Sequence, residues 1–295
     1  MISISHVTKR FGRATAVNDA TFDVPDGQSV ALWGANGAGK TTLIRCALAL
    51  LRFQGRITIA GLDARRQGKR ARRLIGYVPQ ELAFYDDLAV GEAIAYFSRL
   101  KGLPAPRTRD VLASVGLSDH HRKRVRELSG GMKQRLALAV ALLGDPPVLI
   151  LDEVTASLDA WGREELVALL ASLRTSGRTM LFASHRVEEV TALATRVILL
   201  DKGRVHADIP SADLLTHLGH SAVLHLRVRD ASRERAFELL RTRGFEPTIS
   251  GSRLSVPVPA EQKAAPFRVL AEERIHVDDF EIFSARNGHA KEVTS

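Results

Sequence analysis

SVALWGANGAGKTT, residues 29–42, is the stretch whose reading decides the fold. Ser29–Trp33 has the apolar character of a short strand, and Gly34-Ala35-Asn36-Gly37-Ala38-Gly39-Lys40-Thr41 follows with the spacing G-x-x-x-x-G-K-S/T. Glycines let backbone N–H groups turn inward around phosphate oxygens with no Cβ in the way. A helix is expected from about Gly39 to Leu51, and its N-terminus adds unpaired donors and a favourable dipole. Lys40 can reach β- and γ-phosphates, and the Thr41 hydroxyl can ligate Mg²⁺. A chance glycine-rich turn would lack this combination of strand, helix, lysine and threonine.

Outward from this loop, Val148-Leu149-Ile150-Leu151-Asp152-Glu153 places two carboxylates just past a wholly apolar strand. Ligands of open α/β sheets bind at the carboxyl ends of strands. Asp152 is therefore assigned to the metal and Glu153 to the attacking water. On its own the pair reads equally as a turn or helix cap. His185 lies at a strand end too, after Thr179–Ala183 and Ser184. Leu128-Ser129-Gly130-Gly131-Met132-Lys133-Gln134-Arg135 opens the strongest helical pattern of the chain, with Ser129 as N-cap and two glycines leaving donors uncovered. Lys133 and Arg135 read as helix-surface charges, and Cys46 as a small core residue.

The 295 residues suggest two domains, and 45% hydrophobic with 25% charged residues is ordinary globular composition. The longest apolar run, Leu136–Leu143, is far short of the ~20 residues of a membrane-spanning helix, so the chain is expected not to cross a bilayer. The N-terminal MISISHVTKRF lacks a signal peptide's pattern, and a single cysteine fits a reducing compartment. The net charge is +9, and only +1 of it lies beyond Ser221. The remainder is concentrated in Arg65, Arg66, Lys69, Arg70, Arg72 and Arg73, then Arg122, Lys123, Arg124 and Arg126. Such runs attract nucleic acid or anionic headgroups, though each alone reads as a solvated face.

Strand patterns are expected at Ile2–Val7, Phe22–Val24, Arg56–Ala60, Ile75–Val78 and Arg196–Leu200. Tyr85–Glu127 reads as helical with breaks at Gly102-Leu103-Pro104 and Gly116, and Met132–Leu143 as a helix stopped by Gly144-Asp145-Pro146-Pro147. Helix and strand then alternate, the signal of an α/β sheet with right-handed crossovers. After about His220 the rhythm becomes βαββαβ, the ferredoxin-like split: Val223–Val228, Ser232–Arg243, Thr248–Ile249, Arg253–Val256, a helix containing Pro266–Ala271, and Ile275–Phe283. The tail from Asn287 is polar.

The order GANGAGKT, YVPQ with Gln80, LSGGMKQR, VLILDE, ASLD and then His185 resembles the nucleotide-binding subunit of ABC transporters over roughly residues 1–215. The resemblance implies an α/β fold: a P-loop NTPase cassette at 1–220, with a mixed sheet core and a helical subdomain at about 82–145, before the α+β domain at 221–295. It implies that Gly34, Ala35, Asn36, Gly37, Ala38, Gly39, Lys40, Thr41 and Thr42 hold ATP, with Phe11 on the adenine. It implies that Thr41, Gln80 and Asp152 hold Mg²⁺, and that Glu153 and His185 act in hydrolysis. Ser129, Gly130, Gly131, Gln134 and Asp159 would then reach the ATP of a second, facing cassette. Read without the resemblance, Phe11 is equally a strand-end aromatic and Gln80 a surface amide. Glu153 is followed by Val154 where the family usually has proline, which changes the loop's rigidity but removes no catalytic side chain.

The same resemblance implies an ATP-driven pair of cassettes, identical chains being expected, coupled to a separate membrane permease at the inner face of the cell membrane. Phe84–Gly102 is similar to cassettes of ABC-2 type exporters, so export is the expected direction. The region Leu82–Leu88 with Glu92 is where such a permease docks; Phe84 and Tyr85 read either as its anchors or as packing within the helical subdomain. The last 75 or so residues are expected to be regulatory or dimer-stabilising. A soluble ABC-type ATPase acting on nucleic acid is the rival reading, motivated by the basic runs. A single cassette, no long coiled coil and one cysteine count against it, and no nucleic-acid partner is expected. Intact Lys40, Asp152, Glu153 and His185 count against a non-hydrolysing binding module.

Overall fold

The computed structural model describes residues 1–103, 108–218, 222–259 and 262–284. The expected break at Pro104, the boundary at His220–Ser221 and the tail from Asn287 lie outside the described residues. Contacts divide the chain into one unit of Met1–Leu158 and Glu165–Ile209 and another of Asp159–Glu164 and Pro210–Ser295.

In the first unit, β1 (Ile2–Phe11) and β2 (Ala14–Val24) pair antiparallel, and β4 (Gln54–Ile59) and β5 (Leu62–Asp63) complete a four-stranded sheet of order β2-β1-β4-β5. Alternation drives it: Ile2, Ile4, Val17, Ala20, Phe22 and Val24 are buried. Both hairpin strands are longer than their sequence patterns suggested. Register shifts between Ile4 and Val7 and again before Arg10, with His6 and Asp19 at φ 51° and 55°, break the period-two signal.

Six further strands form a second sheet of order β10-β9-β3-β8-β7-β6. They are β3 (Ser29–Trp33), β6 (Ile75–Val78), β7 (Val148–Asp152), β8 (Thr179–Ser184), β9 (Arg196–Asp201) and β10 (Arg204–Pro210). The five strands from β9 to β6 are parallel. β7 and β8 are buried along their whole length, as parallel strands covered on both faces must be. Because β3, β8 and β7 are neighbours, their carboxyl ends deliver three separate sequence segments to one edge of the sheet. The edge strand β10 escaped the sequence reading because its residues alternate only between exposed and half-buried.

α1 (Lys40–Ala47) follows β3 and buries Leu43, Ile44 and Ala47 in a core shared with both sheets. It stops short of Leu51 because Ala49 adopts a left-handed φ of 55°. The basic stretch contains a short helix, α2 (Gly68–Arg73), that periodicity did not reveal. Within Tyr85–Glu127 the chain forms α3 (Val90–Leu100), α4 (Thr108–Ser114) and two single 3₁₀ turns, less helix than the pattern suggested. α5 (Gly130–Leu142), α6 (Ala160–Thr175) and α7 (Val187–Leu193) complete the unit's helices among the described residues.

The second unit includes the short helix α8 (Leu214–His217). It runs β11 (Ala222–Val228), α9 (Asp230–Thr242), β12 (Thr248–Ser250), β13 (Arg253–Val258), α10 (Ala265–Glu272) and β14 (Val277–Ser284). The strand order β12-β13-β11-β14, with every neighbour antiparallel, is that of the ferredoxin-like split. Leu224, Leu226, Leu240, Leu254, Val256 and Leu270 give it a core of its own. Residues 159–164 group here, not with the first unit, and the Arg163 guanidinium donates to the Ile249 carbonyl.

Candidate functional site

The loop after β3 has the conformation that its glycines make possible. Gly34 has φ 156°, and a Cβ there would come within 2.3 Å of the Leu200 carbonyl oxygen. Gly39 has φ 104°, and its Cβ would meet the Ala16 carbonyl oxygen at 2.5 Å. The loop therefore turns tightly into α1, whose N-cap, Gly39, offers no side chain. Lys40 is 4% exposed, and its Nζ donates to the carbonyls of Gly34 (2.7 Å) and Ala35 (3.2 Å). Its third partner is the Glu153 carboxylate, 3.1 Å away. An open cavity of about 280 Å³ sits above this lysine. Ala16, Asn36, Gly37, Gly39, Lys40, Thr41, Thr42, Gln80 and Glu153 line it. Ala38 is buried beneath the loop, its N–H donating to Ala35.

The acidic pair meets this loop across the sheet. The Thr41 hydroxyl donates to Asp152 Oδ1 at 2.9 Å. Burial pushes the Asp152 carboxyl above its ordinary range; the Thr41 hydroxyl acts the other way, and the neighbouring Glu153 adds to the rise. Glu153 has a left-handed φ of 46°, a strained state that a non-glycine residue keeps only when its surroundings hold it. Its backbone N–H is held by the Ala183 carbonyl at 3.2 Å. The carboxylate spans two partners, Lys40 on one oxygen and His185 Nδ1, 3.5 Å away, on the other. The cavity thus joins the phosphate loop, Gln80 and Glu153, and His185 stands against Glu153.

Thr41, Asp152 and the Gln80 amide provide the hard oxygens that Mg²⁺ selects. They fit that ion, because Asp152 is a buried carboxylate whose anionic form a cation would stabilise. Among the described residues no cluster of three or more His, Cys, Asp or Glu forms a competing metal site.

The other candidates lie elsewhere. Ser129 caps α5, its hydroxyl accepting the Met132 N–H at 3.3 Å, and Gly130 faces open space. Neither residue, nor Gly131, lines the cavity of its own chain. Gln134 is 2% exposed on α5, and its amide nitrogen has no hydrogen-bond partner among the described residues. Asp159 caps the first turn of α6 through the Gly162 N–H. Phe11 is 48% exposed at the end of β1 with the Lys9 ammonium 4.5 Å over its ring, outside the cavity lining. Phe84 and Tyr85 stand edge-on against Phe97 and Tyr96 of α3, so both rings pack into the helical region, while Tyr85 stays exposed.

One group was missed by sequence reasoning. Glu189, in α7, is 5% exposed and accepts hydroxyl hydrogen bonds from Ser184 (2.7 Å) and Thr155. Thr155 and Ser184 are themselves buried. Its only sequence signal was an acidic residue four positions after His185, one helical turn on from a strand end.

Comparison with known proteins places these features. A family model described as ABC transporter matches residues 17–156. The daunorubicin resistance ATP-binding protein DrrA3 of Streptomyces coeruleorubidus is 35% identical over 286 residues, covering 94% of this chain and 90% of that protein. The linearmycin resistance ATP-binding protein LnrL of Bacillus subtilis (strain 168) is 33% identical over 233 residues, covering 77% and 75%. Among solved structures, the ATP-binding cassette MJ0796 in a dimeric post-hydrolysis state with ADP and Pi is 25% identical with a TM-score of 0.65, over 72% of this chain and 99% of that one.

Proposed function

The chain belongs to the family of ABC transporter ATP-binding subunits, and on that premise we propose that two copies close on two ATP molecules and drive a separate membrane permease in export. Binding and hydrolysis of ATP are the activity of the cassette. The observation that carries the mechanism is the convergence of Lys40, Thr41, Asp152, Glu153 and His185 at adjacent strand ends.

Lys40 gives up its carbonyl and carboxylate partners to donate to the β- and γ-phosphates, as the backbone N–H groups of residues 36–42 turn to the same oxygens. Bound Mg²⁺ would neutralise phosphate charge beside Thr41 and Asp152, with Gln80 as a further oxygen. Glu153, released from Lys40, accepts the proton of the attacking water. His185 holds the side of Glu153 away from Lys40 and is placed to donate to the γ-phosphate. Ser129 and Gly130 are exposed, Gly131 is half-buried, and all three lie outside their own chain's cavity, which suits a role on the ATP of the facing chain. Asp159 belongs to the same seam in this proposal, and Phe11 to the adenine. Residues 221–295 form a separate accessory domain.

Among the described residues no helix is long and apolar enough to cross a membrane, so a separate permease of ABC-2 type, at the inner face of the membrane, takes up the motion. The basic residues support a docking site for it. Lys69, Arg72, Arg73, Arg99 and Lys101 surround a cavity of about 670 Å³ whose other walls include Ile75, Leu100, Leu103 and Leu143. Among the described residues no carboxylate lines it. An acidic amphipathic segment fits such walls better than a nucleic-acid backbone, which offers charge without an apolar face. Export rather than uptake is supported by the resistance ATP-binding proteins among the relatives.

The test is Mg²⁺-dependent phosphate release by the purified chain, with Glu153→Gln incubated with ATP on a sizing column. Turnover in the wild type and an ATP-dependent dimer of the variant are expected. A monomer at every concentration would overturn the two-chain mechanism. Stimulation by RNA or DNA with steep salt dependence would favour the rival reading.

A further inference from the structure

Resting on the assignment of Glu153 and His185 to hydrolysis, we propose that Glu189 is a positioning residue that sets the distance between them. The two groups arrive on different strands. Glu153 follows β7, His185 follows β8, and the last paired residues of those strands are Asp152 and Ala183. Beyond that pair the backbone is still held, by Ser184 against Trp33 of β3 and by the Glu153 N–H on the Ala183 carbonyl, but neither contact sets the side chains, whose Glu153 Oε2 and His185 Nδ1 stand 3.5 Å apart.

Glu189 closes this gap from below. One carboxylate oxygen takes the hydroxyl of Thr155, two residues after Glu153. The other takes the hydroxyl of Ser184, the residue before His185, at 2.7 Å. Ser184 Oγ in turn accepts the Arg186 N–H at 3.0 Å, fixing the turn on the far side of His185. The Arg186 guanidinium lies 3.7 Å from Glu189 and is the cation facing it; the remaining close partners are the two hydroxyls. Glu189 is buried, so water does not replace what it holds. It is not itself among the residues that line the cavity, and it acts through the segments it ties.

A single buried carboxylate with one oxygen committed to each loop makes their spacing one coupled variable. Displacing a catalytic group by about 1 Å costs about 100-fold in rate. Glu189→Ala removes both ties; Glu189→Gln keeps one good acceptor. Thr155→Val and Ser184→Ala cut the ties singly, with little risk to folding.

The experiment is steady-state ATPase of the full chain, with Mg-ADP affinity measured in parallel. Glu189→Ala is expected to lower kcat by 10- to 100-fold, with KM and ADP affinity within about twofold, since Lys40 and Thr41 are untouched. Glu189→Gln, Thr155→Val and Ser184→Ala should fall between it and wild type. In a His185→Ala background, Glu189→Ala should cost less than about threefold, because the residue it positions is gone. A full multiplicative loss in that background, a loss confined to KM, or single-tie variants with wild-type kcat would overturn the proposal. If Glu189→Ala does not fold, the single-tie variants and their combination with His185→Ala decide it. Glu153→Gln is the separate control: retained turnover there sinks the catalytic assignment itself, whatever Glu189 does.

Discussion

Glu153→Gln has a consequence that reaches beyond lost turnover. Lys40 and Glu153 are ion-paired at 3.1 Å, with side chains 4% and 9% exposed. A diphosphate must take Lys40 from that carboxylate before it can use it. A hydrogen bond to a charged partner contributes about 1.5–3 kcal/mol. Glutamine keeps a weaker, neutral version, so about half of this, ~0.75–1.5 kcal/mol, is released to nucleotide binding. Lys40 is not orphaned in the variant, because the Gly34 and Ala35 carbonyls still accept from it. At 1.4 kcal/mol per tenfold, Mg-ADP should bind about three- to tenfold more tightly to the variant. ADP is the right probe, since it has no γ-phosphate to be repelled by Glu153 and is not consumed. Isothermal titration calorimetry of the two proteins side by side reads the shift. Equal or weaker ADP binding would refute the argument that Glu153 competes for the lysine.

Four further outcomes are expected. Asp152→Asn should abolish Mg²⁺-dependent turnover yet raise the melting temperature of the nucleotide-free protein at neutral pH. The folded carboxyl has a raised pKa, so its proton-bound form is the stabilising one; that contribution is full below about pH 3.8 and lost as pH rises through the folded value. Calorimetric melting of wild type should accordingly show the Asp152 penalty above that range, and a variant no more stable than wild type at pH 7 contradicts it. Cys46 is buried and its thiol pushed up to about 11, so iodoacetamide at pH 8 should leave it unlabelled until denaturant is added, as mass spectrometry would show. Lys101→Met should destabilise the fold by about 1–2 kcal/mol in urea titrations, because its ammonium closes the carbonyls of Val140 and Leu143 at the end of α5. Gly39→Ala should lower both stability and ADP affinity, since it adds a Cβ against the Ala16 carbonyl in a left-handed conformation; wild-type ADP affinity in a folded variant would contradict the loop geometry.

Legibility followed the strength of local signals. β6 was read to the residue because a short apolar run after Arg72-Arg73, ended by Pro79, leaves little choice. The C-terminal βαββαβ order was read because each of its elements carries its own period. β2 was mostly missed, since bulges shift its side chains between faces and only tertiary pairing with β1 keeps them buried. α2 was missed because six residues dense in arginine show no apolar stripe.

The amino-acid order alone determined the phosphate loop, because glycine spacing, a lysine and a threonine constrain backbone and chemistry within eight consecutive residues. It also determined which strands are buried on both faces, since a continuous apolar run admits little else. Only the tertiary structure decided that Lys40 and Glu153, more than a hundred positions apart, form an ion pair. Only it decided that Glu189 reaches both Thr155 and Ser184. Such contacts depend on strand order and on where two loops end in space, and no local pattern along the chain encodes either.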